Sequence, residues 1–109
     1  MPSANVTGNT SAQTLFSVPK QKLGKITKIE VDNSTGNPVT VTIQDVYTPD
    51  PSVGNSSPSE QTETKKVITV AANGHYESRD LELDIIGTAE AVASVEDTSV
   101  NISVIYHYE

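Results

Sequence analysis

Residues 98–108, near the end of the chain, alternate with a period of two. Val100, Ile102, Val104, Tyr106 and Tyr108 fall on one parity. Asn101, Ser103 and His107 fall on the other, with Ile105 the one apolar residue out of place. Successive side chains of a strand point to opposite faces, so this pattern specifies a β-strand with one face buried and one face wet.

The same period recurs upstream. In residues 25–32, Ile29 and Val31 share a face while Ile26 breaks parity, which predicts a bulge near Thr27. Residues 33–38 combine Asn, Gly and Pro, which supply positive or fixed φ, and read as a turn. Beyond it Val39, Val41 and Ile43 alternate with Thr40, Thr42 and Gln44, in a strand expected to reach Tyr47 and to pair with 25–32 as a hairpin. Residues 65–71 form a further strand, and Asn73-Gly74 is the strongest local hairpin signal in the chain. A strand is expected to begin near His75. Leu81, Leu83 and Ile85 alternate with Glu82 and Asp84 over 80–86, and Gly87 ends that run. In 88–95 the alanines would suit a helix, but the segment is short, carries valines and lies between strands, which favours a strand. Six or seven strands without a convincing helix predict an all-β fold, a small antiparallel β-sandwich with jelly-roll or Ig-like connections. A small closed barrel is the alternative architecture.

Two segments lack a clear pattern. Residues 1–20 are rich in Ser, Thr, Asn and Ala and read as an extended polar arm preceding a sandwich domain at 21–109. Leu15, Phe16 and Val18 are the arm's main apolar group, and Phe16, the only Phe in the chain, would plug a pocket on this subunit or the next. Residues 48–64 carry three prolines and no aromatic or basic residue, and are expected to project as a loop.

Composition narrows the partners. A chain of 109 residues makes one domain, and 35% apolar with 5% aromatic residues predicts a thin core of Val and Ile. The absence of Cys excludes disulfides and thiolate sites. A net charge of -7 argues against binding nucleic-acid phosphates. Lys20, Lys22, Lys25 and Lys28 are clustered, as a solvated face or as a contact with an acidic neighbouring subunit. No apolar run approaches the ~18 residues of a membrane span, so no membrane insertion is expected. No signal-peptide pattern is visible, so synthesis in the cytoplasm is expected, with later assembly into a particle left open.

Little in the sequence reads as chemistry. His75 and His107 are not in a metal-ligand spacing and read as strand residues. Asp80, Glu82 and Asp84 share one face, as solvated charges or as a weak Ca²⁺ site. Segment 32–36 lacks the acidic residue at the third position and the distal Glu of a calcium loop. Asn5, Asn9, Asn33, Asn55 and Asn101 begin glycosylation sequons, with Asn33 among those placed where a glycan would fit, although composition alone produces such matches. Glycoside hydrolysis would need two carboxylates across a cleft, and phosphate chemistry would need a Gly-rich loop. No catalytic residue, cofactor or metal is therefore assigned.

These readings lead to a non-enzymatic structural subunit of a repeating assembly, a viral capsid or capsid-decoration protein located in the virion after assembly in the host cytoplasm. Its partners would be further copies or neighbouring subunits. The arm would add a strand to an open sheet edge. Leu15, Phe16, Val18, Tyr106 and Tyr108 are the candidate interface residues. The alternatives are a carbohydrate-binding or adhesin-like module and an extracellular filament subunit, either of which would place the chain outside the cell or on its surface.

Overall fold

A computed structural model describes residues 3–48, 59–78 and 81–109, and contains nine strands. These are β1 (Ser3–Gly8), β2 (Gln13–Ser17), β3 (Gly24–Asn33), β4 (Val39–Tyr47), β5 (Gln61–Val70), β6 (His75–Ser78), β7 (Leu83–Ile85), β8 (Thr88–Ala93) and β9 (Asp97–Tyr108). They form two antiparallel sheets. One runs β1-β9-β3-β6, with β7 also on β3, and the other runs β2-β8-β4-β5. The fold is a two-sheet sandwich without barrel closure. No helix among the described residues is long and apolar enough to cross a membrane.

The pairings are nested. First pairs with last (β1 with β9), second with second-last (β2 with β8), β3 with β6 and β7, and β4 with β5. Successive pairs belong alternately to the two sheets. The chain is thus one long antiparallel hairpin rolled over itself, with β3–β9 and β4–β8 contacts sealing each sheet. That path is a jelly roll, not the Ig arrangement.

The closing strand sits at the centre of the first sheet, between β1 and β3. Val100, Ile102 and Val104 point into the core with Ile26, Ile29 and Val31 of β3, facing Val39, Val41 and Ile43 of β4. The bulge expected near Thr27 is present, as the β3–β9 register shifts between Ile26 and Lys28. It lets Ile26 and Ile29, three residues apart, face the same side, and both are buried. The alanines of β8 lie on its inward parity, and β2 and β4 flank it, so tertiary pairing overrides their helix preference.

The structure corrects both hairpins read from turn residues. Strands β3 and β4 lie in different sheets, as do β5 and β6, so segments 34–38 and 71–74 are corners that carry the chain across the core. Asn73 has φ 53°, as its turn chemistry requires. Turn residues reverse the chain but do not decide whether the flanking strands pair or face each other.

Asn33 joins these two corners and is 1% exposed. Its Nδ2 donates to the carbonyls of Asn37 (2.8 Å), Ala71 (3.1 Å) and Val70 (3.3 Å). Its Oδ1 accepts from Thr35 N at 3.0 Å and Thr35 Oγ1 at 2.6 Å. With its amide committed and buried, Asn33 is not a glycan acceptor in the folded protein. Asn5 and Asn101 are exposed, Asn9 is half-buried, and Asn55 lies outside the described residues.

Candidate assembly site

Over its described residues, the segment read as an extended arm is folded onto its own domain. Strand β1 forms one edge of the first sheet and β2 one edge of the second, so the break expected at residue 20 does not separate an appendage from a domain. Edge strands bury only one face and little of that. Ala4 and Val6 are half-buried while Ser3, Asn5 and Thr7 are exposed, which is why the apolar signal was weak.

Strand β2 carries a bulge. Its register against β8 shifts between Thr14 and Phe16, and this turns the consecutive side chains of Leu15 and Phe16 inward together. Phe16 lies opposite the small Ala89 and is 5% exposed. Its ring stacks on Tyr106, with centroids 3.9 Å apart and planes 9° from parallel, and meets Tyr108 edge-on at 6.2 Å. The Tyr108 hydroxyl donates to the Ser17 carbonyl at 2.9 Å. Burial raises the Tyr108 hydroxyl above its ordinary pKa, with Tyr106 adding to the effect. Val18 packs against the core, and its N–H donates to the Gly87 carbonyl at 2.9 Å. The five residues expected to form an interface therefore come together within one chain. Tyr108, at 39% exposure, is the most open of them.

Two glycines permit this packing. A Cβ on Gly24 would lie 2.7 Å from Val18 Cγ2 and 3.1 Å from Phe16 Cε2. At Gly87 it would lie 2.2 Å from the Val46 carbonyl oxygen. Asp45 holds the Gly87 corner. The carboxylate, 1% exposed, accepts from Ile86 N at 2.9 Å and Gly87 N at 3.0 Å. Asp45 was not singled out from sequence, yet it continues the inward parity of Val39, Val41 and Ile43, and an acid on a core parity signals a buried polar task. Asn33, on the parity of Ile29 and Val31, carries the same signal.

Of the titratable groups singled out from sequence, Lys25, Lys28, His75 and His107 lie on the outer face of the first sheet. Lys25 bridges Asp84 at 3.6 Å and Glu109 at 3.5 Å. Glu30 and Glu77 are directly opposed across β3 and β6, and Lys28 relieves their repulsion at 2.8 and 3.1 Å. The cluster of four lysines is thus divided. Lys25 and Lys28 are ion-paired, while Lys20 and Lys22 are exposed in the β2–β3 connection. His75 Nδ1 contacts Asp32, whose carboxylate holds the imidazole above its ordinary pKa. His107 Nε2 lies 3.0 Å from Glu109 Oε2, and His107 with Lys25 holds that carboxyl below its usual range. Glu82 and Asp84 are exposed, whereas Asp80, the third member of the carboxylate run, lies outside the described residues. Among the described residues, no group of three or more His, Asp or Glu could hold a metal ion. A hollow of about 210 Å³ lies on this face, lined by Ser3, Lys28, Glu30, Ser103, Val104 and Ile105.

The chain matches no protein-family profile, no curated protein and no solved structure.

Proposed function

We propose that this chain is a non-enzymatic structural subunit of a repeating assembly, a viral capsid or capsid-decoration protein acting in the virion. The observation that carries the reading is the nested first-with-last strand pairing, a jelly-roll path that recurs in capsid domains. The same path also serves lectins. A sugar site would ask for free aromatic rings beside polar groups. Here the rings of Tyr106 and Tyr108 are engaged with Phe16, and the carboxylates of Glu30, Glu77 and Asp84 face lysines. The arm serves this role as a structural strap. It covers one edge of each sheet and leaves the far edge of β5 unpaired among the described residues, beside the faces that neighbouring copies would contact.

Size-exclusion chromatography with light scattering, followed by electron microscopy of the eluted species, tests the proposal. The expected result is a closed multimer or shell. Elution as an 11.6 kDa monomer at every concentration up to millimolar would overturn it. Open fibres would replace the capsid reading with the filament one.

A further inference from the structure

The two outer faces of the sandwich differ sharply in charge. That of the first sheet carries the ion pairs of Lys25, Lys28, Glu30, Glu77 and Asp84. The middle ranks of β8, β4 and β5 on the outer face of the second sheet carry few charges, and the Lys65–Glu63 pair, 2.9 Å apart, lies on the edge strand β5. The residues of this face align in cross-strand ranks fixed by the register. Thr69 lies beside Thr40, with their hydroxyls 3.3 Å apart. Val67, Thr42 and Val92 form the next rank, and Thr64, Gln44 and Glu90 the one after. Glu90 is the only charged side chain in these ranks, and Gln44 Nε2 donates to its Oε1 at 3.0 Å. Val67 is 58% exposed, the most open large apolar residue among those described.

We infer that this face is the contact between copies of the chain, packed sheet against sheet about a two-fold axis. The inference rests on the proposed role as an assembling subunit and identifies the surface that performs it. Two arguments select a second copy as the occupant. The first is charge. A chain of net charge -7 repels its own copies, and a two-fold contact places each patch against itself. Apposing the first sheet's outer face would bring Glu30, Glu77 and Asp84 close to their own counterparts. The Val67–Thr42–Val92 rank carries no charge, and a two-fold axis through it keeps Glu90, in the next rank, away from its own counterpart. The second is size. Strand β4 has nine residues, so at ~3.4 Å per residue and ~4.8 Å per strand the four-strand face spans ~500 Å² in projection. Pleating and side chains raise its accessible area towards the ~800 Å² per partner of a stable interface. The Val67–Thr42–Val92 rank supplies a central apolar stripe, with hydroxyls and amides around it as a polar rim.

The test uses the full chain with Thr42→Lys on the inner strand β4 or Val67→Lys beside it on the edge strand β5, and Asn101→Lys on the outer face of the first sheet as control. Far-UV circular dichroism and thermal melts establish that each variant is folded, and sedimentation equilibrium gives its association constant. Val67→Lys is expected to weaken association at least tenfold, while Asn101→Lys stays within twofold of the parent. Folded Val67→Lys and Thr42→Lys proteins that associate like the parent would overturn this assignment and leave the assembly role standing. A parent chain that is itself monomeric would overturn both.

Discussion

Replacing Phe16 with alanine asks whether the arm belongs to the chain's own core. Phe16 is 5% exposed and stacks on Tyr106 at 3.9 Å. Truncating a buried Phe costs about 3–5 kcal/mol through lost transfer energy and the cavity left behind. The stacking geometry, with an edge contact to Tyr108, points to about 4 kcal/mol. Unfolding entropy near ~2.1 cal/mol/K per residue over this length converts that to a fall in Tm of roughly 15–20 °C. That is a large fraction of the ~5–15 kcal/mol that holds a domain together. Urea titration followed by circular dichroism, with tyrosine fluorescence as a second probe, measures the change. The loss should be the same at low and high protein concentration, because the ring fills a pocket on its own chain. A cost below about 1 kcal/mol, the scale of an exposed side chain, would refute the placement of the arm. A cost that appears only at high concentration would show that Phe16 inserts into a neighbour instead.

Three further outcomes follow from particular side chains. Asp45→Ala leaves the Ile86 and Gly87 amides unpaired in a buried corner and should cost about 2–5 kcal/mol in the same titration, with Asp45→Asn losing less because it keeps one acceptor. Asn33→Asp replaces a donor that faces three carbonyls with an acceptor and should destabilise by several kcal/mol, measured as a drop in denaturation midpoint. The Asp32 contact raises the His75 pKa on folding, so its stabilisation is complete below 6.5, the ordinary imidazole value, and fades as pH rises above it through the folded value. Melting temperatures across that window should show a decline that His75→Ala removes; an unchanged profile would rule out the pair as its source.

The strands that were legible in the sequence are those with one fully buried face. In β9 and β4 the apolar parity is continuous, and in β3 the broken parity of Ile26 marks the bulge at Thr27. The unread strands β1 and β2 are edges. The first four residues of β5, Gln61 to Thr64, are exposed as well, so they read as part of the loop at 48–64, whose residues 49–58 lie outside those described. Pairing was less legible than strand content. Asn33, Gly36 and Pro38 show that the chain turns, but whether β4 pairs with β3 or faces it is set by the long-range β4–β5 and β4–β8 ladders. The apolar character of Leu15, Phe16 and Val18 was legible. Their destination was not, because the bulge at Leu15 that turns two adjacent residues inward depends on register with β8.

The first-with-last pairing is tested most directly by a cysteine pair in a chain that otherwise has none. Asn5 and Ser103 are cross-strand partners of β1 and β9, with their side chains 2.5 Å apart. After mild oxidation of the Asn5→Cys/Ser103→Cys protein, non-reducing electrophoresis and intact mass are measured across a range of concentrations. The jelly-roll path predicts one intrachain disulfide and a monomeric mass throughout. Covalent dimers or polymers, without the intrachain bond, would contradict it and show that the arm pairs with a neighbouring copy.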